Sequence, residues 1–344
     1  MASILITGGA GFIGTNAAIH FASRGWDVAI VDNLSRRGTE RNLSWLQAQR
    51  PEIVFHRADI RDFDALAAIV ASCQPDMVLH LAAQVAVTTS YTNPREDFEI
   101  NAAGSFNVME AVRHKAPDAF VLYASTNKVY GGMETVPVLR GEHGYTFANL
   151  PLGVPEDQPL DFHSPYGCSK GVADQYTIDY ARIYDLKTCS FRQSCIYGIR
   201  QFGIEDQGWV AWFSIASLLG KPITLYGDGW QTRDVLNVQD LARAYEAAWE
   251  HRETVSGQAF NIGGGPTNTL CLRDLLGFLE DELATTISPA FGATRPGDQP
   301  VFVCDIRKAQ QQLGWSPRIG VDEGVRDLIR WVRENRELFD VLQG

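Results

Sequence analysis

Near its start the chain reads Thr7-Gly8-Gly9-Ala10-Gly11-Phe12-Ile13-Gly14, directly after the apolar run Ile4-Leu5-Ile6 and directly before an amphipathic stretch. A strand that turns through glycines into a helix narrows the fold sharply, because such units bury their apolar surface in an open parallel sheet covered by helices on both faces. Each glycine has a task. Gly8 permits the tight turn, Gly11 lets backbone N–H groups approach a pyrophosphate, and Gly14 lets the helix pack closely on the strand. A glycine-rich turn without a ligand is the plainer alternative, and the strand-turn-helix setting argues against it. The spacing is wider at its start than G-x-G-x-x-G.

Asp32 closes the second apolar run, where a carboxylate accepts hydrogen bonds from adenosine ribose hydroxyls and repels a 2′-phosphate, which favours NAD. Arg36 and Arg37 keep NADP open, since a nearby arginine accommodates that phosphate. Asp59 and Ile60 follow the third run and are placed to meet the adenine; alternatively Asp59 caps a helix beginning near Asp62.

Further along, short apolar runs alternate with longer amphipathic ones. Strands are predicted at Ser3 to Thr7, Asp27 to Asp32, Ile53 to His56, Met77 to Leu81, Phe120 to Ala124 and Thr188 to Phe191. Phe98, Ala102, Ser105, Met109 and Val112 fall three or four apart, on one face of a helix that covers the sheet. After about residue 192 the order is less regular, and Asp240 to Trp249 followed by Ala259 to Ile262 returns to the first lobe. The fold class is therefore α/β, a Rossmann-type doubly wound parallel sheet with a smaller, sequence-discontinuous α/β substrate lobe. The division falls at 1–192 plus about 237–264 for the NAD-binding part, and about 193–236 with 265–344 for the substrate lobe. Val325, Leu328, Ile329 and Val332 mark a last amphipathic helix.

Ser164-Pro165-Tyr166-Gly167-Cys168-Ser169-Lys170 holds a Tyr-x-x-x-Lys pair, whose side chains lie one above the other on a helix. Pro165 suits the first turn and Ser164 its cap. A phenol of pKa ~10 removes a proton poorly at neutral pH unless nearby positive charge stabilises the phenolate, and Lys170 with an oxidised nicotinamide supplies that charge. Thr126, following the fifth strand, donates or accepts a hydrogen bond at the reacting hydroxyl. Its alternative is a strand-end hydroxyl bonded to backbone.

The net charge of −11 argues against a general nucleic-acid binder, which shows a basic face to phosphates. An anionic substrate must then be held by a few placed arginines. The six cysteines show no CxxC pair, so neither zinc nor disulfides are suggested, and no metal is expected. No signal segment or run approaching about 18 apolar residues is present, so membrane association is not expected and a reducing cytoplasm fits best.

The motifs TGGAGFIG, DNLSRRG, ADIRD, LAAQ, STNKVYG and SPYGCSKG resemble those of the extended short-chain dehydrogenase/reductase family of nucleotide-sugar epimerases and dehydratases, across essentially the whole chain. The wider glycine spacing is typical of that group. Together with RQFGIEDQGWVAWF, QTRDVLNVQD and RPGDQPVFVCDI, they are most similar to the CDP-tyvelose (CDP-paratose) 2-epimerase branch.

The resemblance implies an NAD site built from Gly8, Gly11, Phe12, Ile13, Gly14, Asp32, Asn33, Ser35, Arg36, Asp59, Ile60, Leu81, Ala82, Ala83, Gln84, Asn101 and Gln193, together with Tyr166 and Lys170. Thr126, Tyr166 and Lys170 form the catalytic triad. Substrate contacts are implied for Thr126, Asn127, Cys195, Arg200, Gln207, Arg233, Arg295 and Asp298. Arg233 and Arg295 match arginines that clamp the nucleotide diphosphate; the alternative for each is a surface ion pair with a neighbouring aspartate. Trp209 and Trp212, beside Gln207, meet sugar or base or else belong to the core. A homodimer or homotetramer is also implied, through the helices carrying Tyr166 and the Asn101 region.

Family dehydratases carry Asp-Glu directly after the triad threonine to protonate a leaving hydroxyl, whereas this chain has Asn127 and Lys128. Loss of water is therefore not expected. Thr126 and Tyr166 also stand farther apart than in simple 4-epimerases, and the extra length at 131–163 is either a substrate-side loop or a surface insertion. The implied reaction is an isomerase's: transient oxidation to a keto sugar with hydride return, at C2 of a CDP-hexose, in carbohydrate biosynthesis. A 4-epimerase of UDP-, GDP- or dTDP-sugars is the first alternative, and a non-catalytic NAD-binding regulator the second.

Overall fold

The computed structural model describes residues 1–295 and 297–340. The last four residues of the segment assigned to the substrate lobe lie outside them. Seven strands, β1 (Ser3–Thr7), β2 (Asp27–Asp32), β3 (Val54–Arg57), β4 (Met77–His80), β5 (Phe120–Thr126), β6 (Thr188–Gln193) and β7 (Gln258–Ile262), form one sheet. Their order is β7-β6-β5-β4-β1-β2-β3, with every neighbour parallel. The order reverses beside β1, opening a crevice at the carboxyl ends of the strands.

Central strands such as Met77-Val78-Leu79-His80 are buried throughout, as a sheet covered on both faces requires. One core layer joins Ile4, Ile6, Ile30, Leu79 and Leu122 to the helices Phe12–Ala22 and Val238–Glu250. The opposite layer joins Leu5, Val31, Val78 and Val121 to Phe63–Cys73 and Ser105–Lys115.

Strand boundaries differ from expectation mainly at the carboxyl ends. β5 and β6 continue through polar residues, pairing Ser125 with Arg192 and Thr126 with Gln193. Apolar patterning stops before these tips, while the ladder does not. Phe98 is a correction: it is 55% exposed, whereas Ala102, Ser105, Met109 and Val112 are buried. A π-helical stretch, Glu99–Gly104, separates Phe98 from the helix that follows, and its wider turns break the 3.6-residue register.

A second core gathers residues after 194. It unites the helices Trp209–Leu218, Leu272–Leu283 and Val321–Glu334, with Val325, Leu328, Ile329 and Val332 buried and Trp209 and Trp212 packed against them. Residues 131–163 are folded rather than loose. They contain the antiparallel hairpin Val138–Gly141/Gly144–Phe147, and Met133, Phe147 and Val154 share a core with Val301, Phe302 and Cys304.

Candidate active site

The glycine turn is built without room for side chains. A Cβ on Gly8 (φ +68°) would lie 2.7 Å from the Ala82 nitrogen, and one on Gly14 would lie 2.2 Å from the Gly8 carbonyl oxygen. Gly11 precedes the Phe12–Ala22 helix and leaves its first N–H groups without a side-chain cap. A helix start with uncapped donors fits a pyrophosphate. Phe12 and Ile13 line the same cleft.

Asp32 lies at the end of β2 in this cleft. Its carboxylate accepts from the Leu34 N–H (2.8 Å) and the Ala10 N–H (3.1 Å), which fixes it beside the turn. Burial raises its pKa, and these N–H groups oppose that. Asn33 and Ser35 line the cleft next to it, and Asn33 donates to Asp59 at 2.8 Å. Asp59 also takes a two-pronged contact from Arg61, chiefly responsible for lowering it to about 2. It does not cap the following helix; Asp62 does, accepting from the Ala65 N–H. Ile60, Leu81, Ala82 and Ala83 complete the apolar wall.

At the other end of the cleft stand Thr126, Tyr166, Lys170 and Gln193. Tyr166 and Lys170 lie one turn apart on Ser164–Tyr184, where the Ser164 hydroxyl accepts from the Gly167 N–H at 3.1 Å. The Lys170 ammonium donates to the Ala124 carbonyl at 2.6 Å and sits 4.3 Å from the Tyr123 ring centre. Burial takes it down to about 7, with Asp174 and Asp97 opposing. Burial pushes Tyr166 up to about 12, against a hydrogen bond with Thr126. The phenol thus needs added positive charge to ionise near neutrality.

Two of the expected cofactor residues bond within the protein. The Asn101 side chain accepts from the Gln84 N–H and donates to the Gln84 carbonyl, each at 2.9 Å. Gln84 and Asn101 both donate to Asp97 (2.8 and 3.1 Å), so they hold a buried carboxylate whose charge acts on Lys170. Neither side chain lines the cleft, because satisfying Asp97 consumes their donors. Arg36 lines the cleft, donates to Gln207, and its charge is felt at Tyr166.

Among the expected substrate residues, Arg200 lines the cleft with Gln207. Its guanidinium is buried, donates to Asn42 Oδ1 (3.1 Å) and the Arg41 carbonyl (3.3 Å), and lies 4.5 Å from the Trp45 ring centre. Those contacts pin the Thr39–Gln49 helix with two of the guanidinium's five N–H groups. Arg233 pairs with Asp298 at 2.6 Å, and Arg295 with Asp206 at 2.9 Å while lying 4.0 Å from the Tyr226 ring centre. Neither therefore pairs with the aspartate nearest in sequence, and Arg233 is buried rather than on the surface. Asn127 accepts from the Thr126 hydroxyl at 3.3 Å, and burial raises the Cys195 thiol, which lies within electrostatic reach of Lys128 and Arg233.

Sequence reasoning missed Ser125, whose buried hydroxyl has no partner among the described residues and which lines the cleft beside Thr126. It also missed Asp97. Adjacency to Thr126 was an available signal for the first; none existed for the second.

A doubly wound sheet, a glycine cradle and a Tyr-Lys-Thr cluster at its carboxyl edge define an NAD-dependent enzyme of the extended short-chain dehydrogenase/reductase class. The sequence pattern of the GDP-mannose 4,6-dehydratase family matches residues 5–328, and the chain belongs to that family. It is 44% identical over 333 residues to CDP-paratose 2-epimerase of Salmonella typhi, covering 95% of this chain and 98% of that one. In structure it resembles UDP-glucose 4-epimerase of Thermotoga maritima with UDP-glucose (TM-score 0.84, 30% identity, 97% and 99% of the chains). It also resembles the Thermus thermophilus UDP-glucose 4-epimerase in complex with NAD (TM-score 0.81, 30% identity, 97% and 99%). The kinship is with nucleotide-sugar epimerases and dehydratases in general, and the cofactor is NAD.

Proposed function

We propose that this enzyme inverts C2 of a CDP-hexose of the CDP-paratose/CDP-tyvelose type, with Thr126, Tyr166 and Lys170 as its catalytic groups. The similarity to CDP-paratose 2-epimerase over nearly both full lengths carries this reading. It is supported by Asn127 and Lys128, which leave no acid in the two positions after Thr126.

Bound NAD supplies the acceptor and donor for the carbon-bound hydrogen. Tyr166 Oη takes the proton of the reacting hydroxyl and returns one when the inverted alcohol forms. Thr126, hydrogen-bonded to the phenol, holds it and the sugar oxygen in line, and Lys170, one helical turn away, adds positive charge that favours the phenolate. Between the two proton transfers the keto sugar turns over to present its other face. Gly8, Gly11, Gly14 and Asp32 hold the dinucleotide, while Arg233 and Arg295 take the diphosphate.

The reading includes an NAD-binding part (1–192 and about 237–264), a substrate lobe formed by the rest, and a cytoplasmic setting, in keeping with six unpaired cysteines. Among the described residues no helix is long and apolar enough to cross a membrane. A homodimer or homotetramer is also part of it. Phe106, Tyr176, Ile183 and Tyr184 are exposed large side chains on two adjacent helices, an apolar patch suited to pairing.

Incubation with CDP-, UDP- and GDP-sugars, followed by NMR of each product, tests the reading. Inversion at C2 of a CDP-sugar with carbon-bound hydrogen retained supports it; extensive solvent deuterium at that carbon refutes it. The similarity to UDP-glucose 4-epimerases favours a second reading, inversion at C4 of a UDP-sugar, which the same panel distinguishes.

A further inference from the structure

Lys128 plays no part in the triad, yet it begins beside it. It lies on the 3-10 turn Asn127–Tyr130, and its backbone N–H donates to the Thr126 hydroxyl at 3.2 Å. Its ammonium donates to Gln299 Oε1 at 3.3 Å, and Gln299 is buried and fixed in turn by the Gly131 carbonyl. Among the described residues no carboxylate lies within 4.0 Å of this ammonium. The charges of Arg233 and Asp298 are felt at Lys128, and Asp298 is already paired with Arg233 at 2.6 Å.

Two cations thus share one carboxylate beside the turn that follows Thr126, an imbalance that a bound anion corrects. Burial, with Arg233 adding to it, pulls Lys128 down to about 8. One neutral acceptor at 3.3 Å offsets little of that cost. A purely structural side chain here has no need of charge.

We propose that the Lys128 ammonium binds the sugar-proximal phosphate of the nucleotide sugar, together with Arg233. This rests on the reading that the substrate is a nucleoside-diphosphate sugar, and not on which carbon is inverted.

Calorimetry on NAD-loaded wild type, Lys128→Met and Lys128→Arg tests the assignment, using CDP, UDP, GDP and dTDP with the matching monophosphates. Lys128→Met is expected to weaken the preferred diphosphate by about 10- to 100-fold and its monophosphate by less than about twofold, with Lys128→Arg largely restoring binding. Unchanged NAD affinity checks that the variants are folded. In wild type, diphosphate affinity is also expected to fall above pH 8 as the ammonium deprotonates. Lys128→Arg should remove that fall, since a guanidinium does not deprotonate in this range; the groups facing Lys128 are Arg233, Asp298 and Cys195, its thiol raised by burial. Equal weakening of mono- and diphosphate, or no weakening and no fall with pH, overturns the proposal. If no diphosphate binds wild type, the nucleotide-sugar reading falls and takes this one with it.

Discussion

Gly14→Ala would set a methyl carbon 2.2 Å from the Gly8 carbonyl oxygen, 2.7 Å from Gly9 Cα and 2.9 Å from the Gly9 carbonyl carbon. Ordinary contact begins at 3.4 Å, so the oxygen would have to retreat by 3.4 − 2.2 = 1.2 Å. All three obstacles are backbone atoms of the cradle itself, and none can rotate away. Gly277 provides the control. It lies exposed in the Leu272–Leu283 helix, with nothing within 4 Å of an added Cβ. There alanine only removes glycine's entropic disadvantage and stabilises by about 0.5–1 kcal/mol.

At position 14 the same small helix-propensity gain is outweighed by overpacking of about 3 kcal/mol or more, since the backbone must move. Because the displaced oxygen belongs to the turn that presents N–H groups to the pyrophosphate, NAD affinity should fall at least tenfold alongside stability. Differential scanning fluorimetry with and without NAD, together with calorimetric NAD titration, measures both effects. Gly14→Ala should melt several degrees below wild type, and Gly277→Ala at or slightly above it. If Gly14→Ala retained wild-type melting and NAD affinity, the helix could not be closed on the turn as described, and the cradle argument would fail.

Tyr166→Phe removes the transferable proton but little volume, so turnover should drop about 10²- to 10⁴-fold while NAD titration stays within about twofold of wild type; undiminished activity would exclude the mechanism. Arg192 and Asp174 form a buried pair at 2.9 Å that ties β6 to the helix bearing Tyr166 and Lys170. In urea unfolding Arg192→Met should cost about 3–5 kcal/mol, and adding Asp174→Asn should recover part of it; additive losses would contradict that coupling. In NAD-free protein Lys170 sits near 7, while an unfolded lysine titrates near ~10.4, so the unfolded state holds more protons between those values. Stability should therefore gain from this group as pH rises from 7 to 10, and Lys170→Met should flatten that part of a melting-temperature profile. Asp59 works in the opposite window: held at about 2, it contributes above the unfolded value and is lost as pH falls through about 2. Asp59→Asn should accordingly reduce the steepness of acid unfolding.

Much of the fold was written locally. A glycine turn, a period-2 or continuous apolar run and a Tyr-x-x-x-Lys spacing act over a few residues, and steric limits and helical geometry translate them directly into strand, turn and helix. That is why β1 and β2, the cradle and the Tyr166–Lys170 pair could be placed from residue order alone. Long-range pairing carried no such signal. Gln84 and Asn101 turn away from the cleft because a buried Asp97 needs their N–H groups, and Arg200 stacks on Trp45 because Asn42 and the Arg41 carbonyl face it across the fold. Phe98 points outward because a π-turn intervenes, and Lys128 meets Gln299 only when the chain returns 171 residues later. Periodicity fixes which face of an element is apolar; which polar group satisfies another is decided by what tertiary packing brings within 3 Å, and that choice required the folded chain.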